Sequence, residues 1–232
     1  MRIDVLSLFP ESFELLKTYG VIGKAINSGK IELNTIDIRD FCHDKHRSAD
    51  DTVFGGAAGM LMKPGPVVEA IESVRGENSR VIYLSPQGKL LKHQKAVDLS
   101  KEDHLILLCG HYEGIDSRVV NHFVDEEISI GDYVLTGGEL PAMVLIDSVL
   151  RWVDGVLGSA DSAPTDSLAN GLLQYDEFTK PRNFRGYEVP EVLYSGDHKA
   201  VDLWRQESSL KNTREKRPDL YRTYLENKED NH

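Results

Sequence analysis

From residue 1 to about 157, short apolar runs alternate with stretches whose apolar positions recur at helical spacing. Ile3 to Phe9 and Ile31 to Ile38 read as strands, with a helical pair between them around Glu11 to Lys17 and Val21 to Asn27. Pro66 is expected to open a helix that carries Val67, Val68, Ile71 and Val74 on one face. Strands Val81 to Leu84 and Leu105 to Leu108 follow, separated by a helix around Leu90 to Leu99. A short strand near Glu127 to Ile130 leads to a helix from Leu140 to Val153 that is apolar on more than one face, as a buried or interfacial helix would be. Alternation of this kind predicts an α/β fold with a mostly parallel sheet.

The texture changes at Gly158. The run to Ser167 is small, polar and nearly free of core-forming residues, so it reads as a flexible linker. A helical C-terminal region follows, in which Asp197 is a natural cap for a helix bearing Val201 and Trp204. The division expected is an α/β domain over 1–157, a linker over 158–171 and a helical domain over 172–232.

Charge changes this picture little. The chain of 232 residues is 40% hydrophobic and 28% charged, a globular balance. Its net charge of −11 argues at first against a phosphate-rich partner. From Lys180 onward, however, 11 basic residues meet 10 acidic ones, whereas the preceding part holds 16 against 28. Arg205, Lys211, Arg214, Lys216, Arg217 and Arg222 make a basic run that is either a solvated helix face or an RNA-binding one. No stretch approaches the roughly 20 apolar residues of a membrane span, and the start reads as a strand rather than a signal peptide. Two cysteines, Cys42 and Cys109, cannot build a disulfide framework and suit a reduced cytoplasm. The expectation is a cytoplasmic protein without a membrane partner.

Three consecutive strands each end in a glycine-rich loop: Tyr83-Leu84-Ser85-Pro86-Gln87-Gly88, Gly110-His111-Tyr112-Glu113-Gly114, and Ile130-Gly131-Asp132-Tyr133-Val134-Leu135-Thr136-Gly137-Gly138. In open parallel sheets ligands bind outside the carboxyl ends of the strands, and glycine lets backbone approach a flat ligand closely. Neither G-x-x-x-x-G-K-[ST] nor G-x-G-x-x-G occurs, and the loops carry no Lys or Arg apart from Lys89 at their margin. A ligand without phosphates fits better than a triphosphate or a dinucleotide.

The strings SLFPE (7–11), GGAAGMLMKP (55–64), YLSPQG (83–88), LLCGHYEGID (107–116), SIGDYVLTGGELPAM (129–143) and DGVLG (154–158) resemble bacterial tRNA (guanine-N1)-methyltransferases of the TrmD type. The likeness continues through DSLANGLL (166–173), YEVPEVLYSGDH (187–198) and WR (204–205), so it spans nearly the whole chain. It implies a SPOUT methyltransferase, with a deep trefoil knot around an S-adenosylmethionine pocket and a small all-helical tRNA-binding domain after it. The knot comes from the resemblance alone, since topology rules argue against one. The implied cofactor contacts are the three loops: Tyr83, Leu84, Ser85, Pro86, Gln87 and Gly88; Gly110, Tyr112, Glu113 and Gly114; Ile130, Gly131, Asp132, Tyr133, Val134, Leu135, Gly137 and Gly138, with Pro141 nearby. A homodimer with its active site at the interface is also implied, as is methylation of the guanine 3′ of the anticodon in the tRNA anticodon arm.

N1 of guanine carries a proton, so its methylation needs a base, and a donor for charge growing on the neighbouring carbonyl oxygen. The resemblance gives these roles to Asp166 and Arg151. Read alone, Asp166 is an ordinary helix N-cap before Leu168 and Ala169, and Arg151 is a C-terminal dipole partner. The loop around His46, Arg47 and Asp50, with the Gly55, Gly56 and Gly59 turn, is implied to approach the guanine. Ala57 and Ala58 stand there in place of a glycine and a proline. His198, Trp204 and Arg205 are implied RNA contacts, although Trp204 read alone is equally a core residue. Cys42, His43, Asp44 and His46 lack the spacing of a structural zinc site, so no metal centre is expected there. Magnesium dependence belongs to the resemblance; Glu113 reads either as a magnesium ligand or as a helix-start carboxylate.

Overall fold

In the computed structural model, which describes residues 1–18, 20–56, 58–157 and 167–229, the short apolar runs become a parallel sheet. Its five strands are β1 (Arg2–Ser7), β2 (Glu32–Asp37), β5 (Ser79–Leu90), β6 (His104–Cys109) and β7 (Glu126–Ser129), in the order β2-β1-β6-β5-β7. Alternation sends Ile3, Val5, Ile82, Leu84, Leu105 and Leu107 into one hydrophobic cluster, and Leu6, Val81, Tyr83, Ile106 and Leu108 into another. The first cluster is completed from α2 (Gly20–Asn27), α4 (His93–Leu99) and α6 (Glu139–Leu150), which contribute Ile22, Leu99, Leu145 and Val149. The second takes Val67 and Ile71 from α3 (Pro64–Val74) and Val119 from α5 (Ser117–Phe123). Both faces of the sheet are therefore covered, as a parallel sheet requires.

The departures from expectation have local causes. The helix expected to open at Pro66 begins two residues earlier, at Pro64, because a proline already occupies its first position there. The chain between β1 and α2 forms a 3-10 turn (Pro10–Phe13) before α1 (Glu14–Thr18). Residues after Leu150 leave α6 for turns, so the helix ends short of the expected Val153. A two-stranded hairpin, β3 (Asp50–Thr52) with β4 (Met60–Met62), stands where the sequence suggested only a loop, since three-residue strands are too short to show periodicity. β5 runs six residues beyond the expected Leu84. It pairs Leu84 with Ile128 and then Lys89 with the same residue, so 85–88 form an excursion from a ladder that resumes.

The chain divides into two compact units, Met1–Ser159 and Ala160–His232. The second is not all-helical as expected: it contains a short hairpin, β8 (Asn183–Phe184) with β9 (Tyr187–Glu188), whose two-residue strands are too short to show a period, then α7 (His198–Lys216) and α8 (Pro218–Glu229). Asp197 caps α7 as expected, accepting from the backbone N–H groups of Lys199 and Ala200 at 3.1 Å each. Leu172 is buried in this unit, and α7 buries Ser208, Ser209, Asn212 and Thr213. The Thr213 hydroxyl accepts from Leu173 N at 2.9 Å, the Ser208 hydroxyl from Asp176 N at 3.0 Å, and the Asn212 amide donates to Gln174 O at 3.1 Å. Among the described residues no helix is long and apolar enough to cross a membrane.

Candidate functional site

The excursion within β5 and the loops that follow β6 and β7 line a cavity of about 220 Å³. Tyr83 to Gln87 line it from the first loop, and Gly110 with Tyr112, Glu113 and Gly114 from the second. Ile130, Gly131, Tyr133, Val134, Leu135, Gly137 and Gly138 line it from the third, with Pro141 at the start of α6. Gly88 and Asp132 do not. Gly88 lies at the end of the β5 excursion, where a Cβ would stand 2.4 Å from the backbone carbon of Glu127, so its lack of a side chain serves strand approach. Asp132 points to solvent at the loop's surface. His111, Ile128, Ser129 and Thr136 complete the wall.

The second and third loops are held together at their backbones. Gly138 N donates to Gly110 O at 2.9 Å, and a Cβ on Gly138 would come within 2.6 Å of the Cα of Cys109, so no larger residue fits. The second loop also grips β4: Glu113 N donates to Met60 O at 2.9 Å, and Met62 N to Gly114 O at 3.0 Å. Gly59, at φ 92°, lies so close to the Glu113 side chain that a Cβ would meet its Cγ at 2.5 Å. The hairpin carrying the expected RNA residues is thus hydrogen-bonded to the wall of the cavity.

Burial, reinforced by the charge of Glu127, pushes the Tyr83 phenol up to about 12, so the phenol stays neutral. Burial and then the Glu139 carboxylate push the Cys109 thiol well up, which leaves it inert as a nucleophile. Among the described residues the lining holds no lysine or arginine. Its ionisable side chains are His111, Glu113 and the tyrosines, and the rest is glycine, small polar and apolar surface. Such a wall suits a flat, phosphate-free ligand held largely by backbone.

Arg151 caps the C-terminus of α6 and is exposed. Asp166 and Ala57 lie outside the described residues, so the spacing of the expected base and donor is not part of this geometry. Arg47 sits at φ 51°, its guanidinium against Asp40 and 3.7 Å from Asp37, with Nε donating to Arg39 O at 3.1 Å. His46 is exposed and its backbone N–H donates to Asp44 at 3.2 Å. Asp50 pairs with Met62 in the hairpin, and Gly55, Gly56 and Gly59 all take positive φ (89°, 78° and 92°) in the turn that follows. Among the described residues no three His, Cys, Asp or Glu side chains cluster to hold a metal ion.

In the C-terminal unit His198 is the exposed first residue of α7. Trp204 is half-buried with its ring 6.1 Å from Phe178, and the Arg205 guanidinium lies over Tyr175 at 5.1 Å. Sequence reasoning missed two further pairs of this kind, Arg182 over Tyr194 at 4.3 Å and Arg185 over Phe184 at 5.3 Å. The readable signal was the alternation of basic and aromatic residues from Lys180 to Tyr187.

The family described as tRNA (Guanine-1)-methyltransferase TrmD matches residues 1–223. Over 228 residues the chain is 56% identical to a tRNA (guanine-N(1)-)-methyltransferase of Finegoldia magna, covering 98% of each. It is 51% identical over 224 residues to the protein of that name from Ruminiclostridium cellulolyticum (95% of this chain, 96% of the relative). Against the one from Staphylococcus aureus it is 48% identical over 231 residues, covering 99% of this chain and 94% of the relative.

Proposed function

The chain belongs to the tRNA (guanine-1)-methyltransferase TrmD family, and from that premise we propose that it transfers a methyl group from S-adenosylmethionine to N1 of the guanine 3′ of the anticodon. The observation that carries this reading is the convergence of three successive glycine loops on one cavity without basic side chains. S-adenosylmethionine has no phosphate, and its adenine and ribose are recognised well by backbone groups and apolar contacts. When bound, it supplies an activated methyl group, so no protein nucleophile is needed.

The remaining work falls to side chains. Asp166 is assigned as the base that takes the N1 proton, and Arg151 as the donor that stabilises charge on the guanine carbonyl oxygen. The hairpin with Asp50 and the Gly55, Gly56 and Gly59 turn is assigned to the guanine; its hydrogen bonds to the second cavity loop support that placement. His46 and Arg47 belong to the same RNA-facing segment. His198, Trp204 and Arg205 are assigned to the anticodon arm, supported by the arginine–aromatic pairs of that unit, which offer phosphate contacts and stacking surfaces together.

The finer architecture forms part of the same proposal. It takes in a SPOUT knot around the cofactor within a domain of residues 1–157, followed by a linker at 158–171 and an RNA-binding domain at 172–232; the split into two compact units near residue 159 supports the division. Leu140 and Val144, one turn apart on α6, are 60% and 47% exposed beside the cavity, and this apolar strip supports a homodimer with the active site at its interface. Magnesium as a further cofactor, with no ligand assigned to it, and a cytoplasmic setting complete the reading.

The test is to incubate the protein with S-adenosylmethionine and an unmodified tRNA transcript, then analyse the nucleoside digest by mass spectrometry. 1-Methylguanosine is the expected product. A methylated ribose or another methylated base would keep the pocket and overturn the target; no methylation, with magnesium present, would overturn the enzymatic reading.

A further inference from the structure

Glu139, the first residue of α6, is a charged side chain that the chemistry above does not use. Its carboxylate is nearly buried, 11% exposed, behind the cavity wall rather than on it. It accepts hydrogen bonds from the fully buried Ser7 hydroxyl at 2.5 Å and from His111 Nε2, which lies 2.9 and 2.8 Å from its two oxygens. The Ser7 oxygen itself accepts from Phe9 N at 2.8 Å. The Phe9 ring lies 4.9 Å from that of His111.

Taking a carboxylate out of water is unfavourable unless its partners replace the lost hydration. Here the partners come from three separate segments: the end of β1, the loop after β6, and α6 itself, which follows the loop after β7. Glu139 is thereby a junction between two of the three cavity loops and the strand beneath them. The surroundings leave the junction little freedom. At Gly137, paired with His111 by an isolated antiparallel bridge, a Cβ would lie 2.3 Å from the imidazole Cε1 and 2.6 Å from a Glu139 oxygen. An ionised carboxylate only accepts, so Nε2 of His111 must carry the proton, and the ring is fixed in one orientation. That ring is part of the cavity wall.

We propose that Glu139 is a positioning residue for the cofactor: through His111, and braced by Ser7, it holds the second and third loops at the spacing that S-adenosylmethionine requires. This rests on the reading that the cavity binds S-adenosylmethionine. Glu139 then contributes to affinity for the methyl donor through a wall that is already shaped before binding, with little effect on the transfer step.

The experiment is calorimetric binding of S-adenosylmethionine, with kcat and KM for the same proteins. The proteins are wild type, Ser7→Ala, Glu139→Gln, Glu139→Ala, His111→Asn and the double variant Glu139→Ala/His111→Asn. Glu139→Ala is expected to weaken binding at least about tenfold, with kcat at saturating donor within about twofold. Glu139→Gln, which keeps one acceptor oxygen, should lose less, and Ser7→Ala least. The double variant should bind no more than about twofold worse than Glu139→Ala alone, because the two residues act as one unit. Wild-type affinity in Glu139→Ala would overturn the proposal. Losses that multiply in the double variant would show that Glu139 does not act through His111, and a fall in kcat with KM unchanged would move it into the chemistry. Should circular dichroism show Glu139→Ala unfolded, Glu139→Gln and Ser7→Ala decide, and full affinity in both rejects the idea. A wild-type protein that binds no S-adenosylmethionine overturns the functional reading itself, before Glu139 is reached.

Discussion

In the N-terminal unit the sheet is sealed by leucine, isoleucine and valine on both faces, with Ile3, Leu6, Ile82, Leu107 and Val149 fully buried. In the C-terminal unit the long helix α7 turns Ser208, Ser209, Asn212 and Thr213 inward and joins them to the backbone of residues 173–176. The two kinds of interior behave differently. A buried aliphatic side chain contributes roughly 1.5–3 kcal/mol without regard to direction. A neutral hydrogen bond contributes only about 1 kcal/mol net, but it fixes one geometry and leaves a costly unpaired group when a partner is removed. The first unit thus has the reserve to carry tight, glycine-dependent loops at its strand ends. The second holds an extended segment and a basic, aromatic surface by a few directional bonds.

The largest effect is expected from Asp166→Asn. Turnover should fall by about 10²–10⁴-fold, the usual contribution of a general base, while calorimetry shows S-adenosylmethionine affinity within about twofold of wild type. Equal losses of both would mean that Asp166 supports folding rather than chemistry. Next in size is Gly138→Ala, which puts a methyl group 2.6 Å from the Cα of Cys109 and breaks the join between two loops. It should abolish donor binding and lower the melting temperature by several degrees, whereas Gly65→Ala, in open space, should leave both intact or raise stability slightly.

Thr213→Ala probes the other interior. Removing its hydroxyl leaves Leu173 N unpaired and should destabilise the C-terminal unit by about 1–3 kcal/mol. Hydrogen exchange should accelerate at Leu173 and along α7, with the β1 and β6 amides unchanged. The smallest effect lies at the surface. The Arg217 side chain, hydrogen-bonded to Asp219, holds that carboxyl at about 2. A depressed carboxylate favours the folded state above the ordinary range near 4, and that contribution fades as pH falls through about 2. Carboxyl-detected NMR should show this midpoint, and Arg217→Ala should return it towards the ordinary range.

Much of this was legible in the residues themselves. The short apolar runs at 3–6, 81–84 and 105–108 placed three central strands, and the Asp197 cap located the start of α7. The three glycine loops stood out in the sequence, and residues of all three line one cavity. What escaped was non-local. Nothing in the order of residues shows that β5 leaves its ladder at Ser85 and re-enters opposite Ile128, because that depends on a strand forty residues on. The close approach of Gly88 to the β7 backbone is equally invisible in the sequence. Glu139 resembled any acidic residue in a first helical turn; its partners Ser7 and His111 lie 132 and 28 residues away. The inward-facing polar side chains of α7 were hidden for a related reason, since a helix whose buried stripe is serine, asparagine and threonine carries no hydrophobic period to read.

The division of labour between the units can be mapped directly by hydrogen exchange with mass spectrometry on the protein alone, with S-adenosylmethionine, and with an unmodified tRNA transcript. The account predicts that the methyl donor protects the amides of 83–88, 110–114 and 130–138 and leaves α7 and β8–β9 unchanged. The tRNA should protect 46–59 and the arginine–aromatic surface around Arg182, Arg185 and Arg205. Donor protection in the C-terminal unit, or its absence from the three loops, would contradict the account.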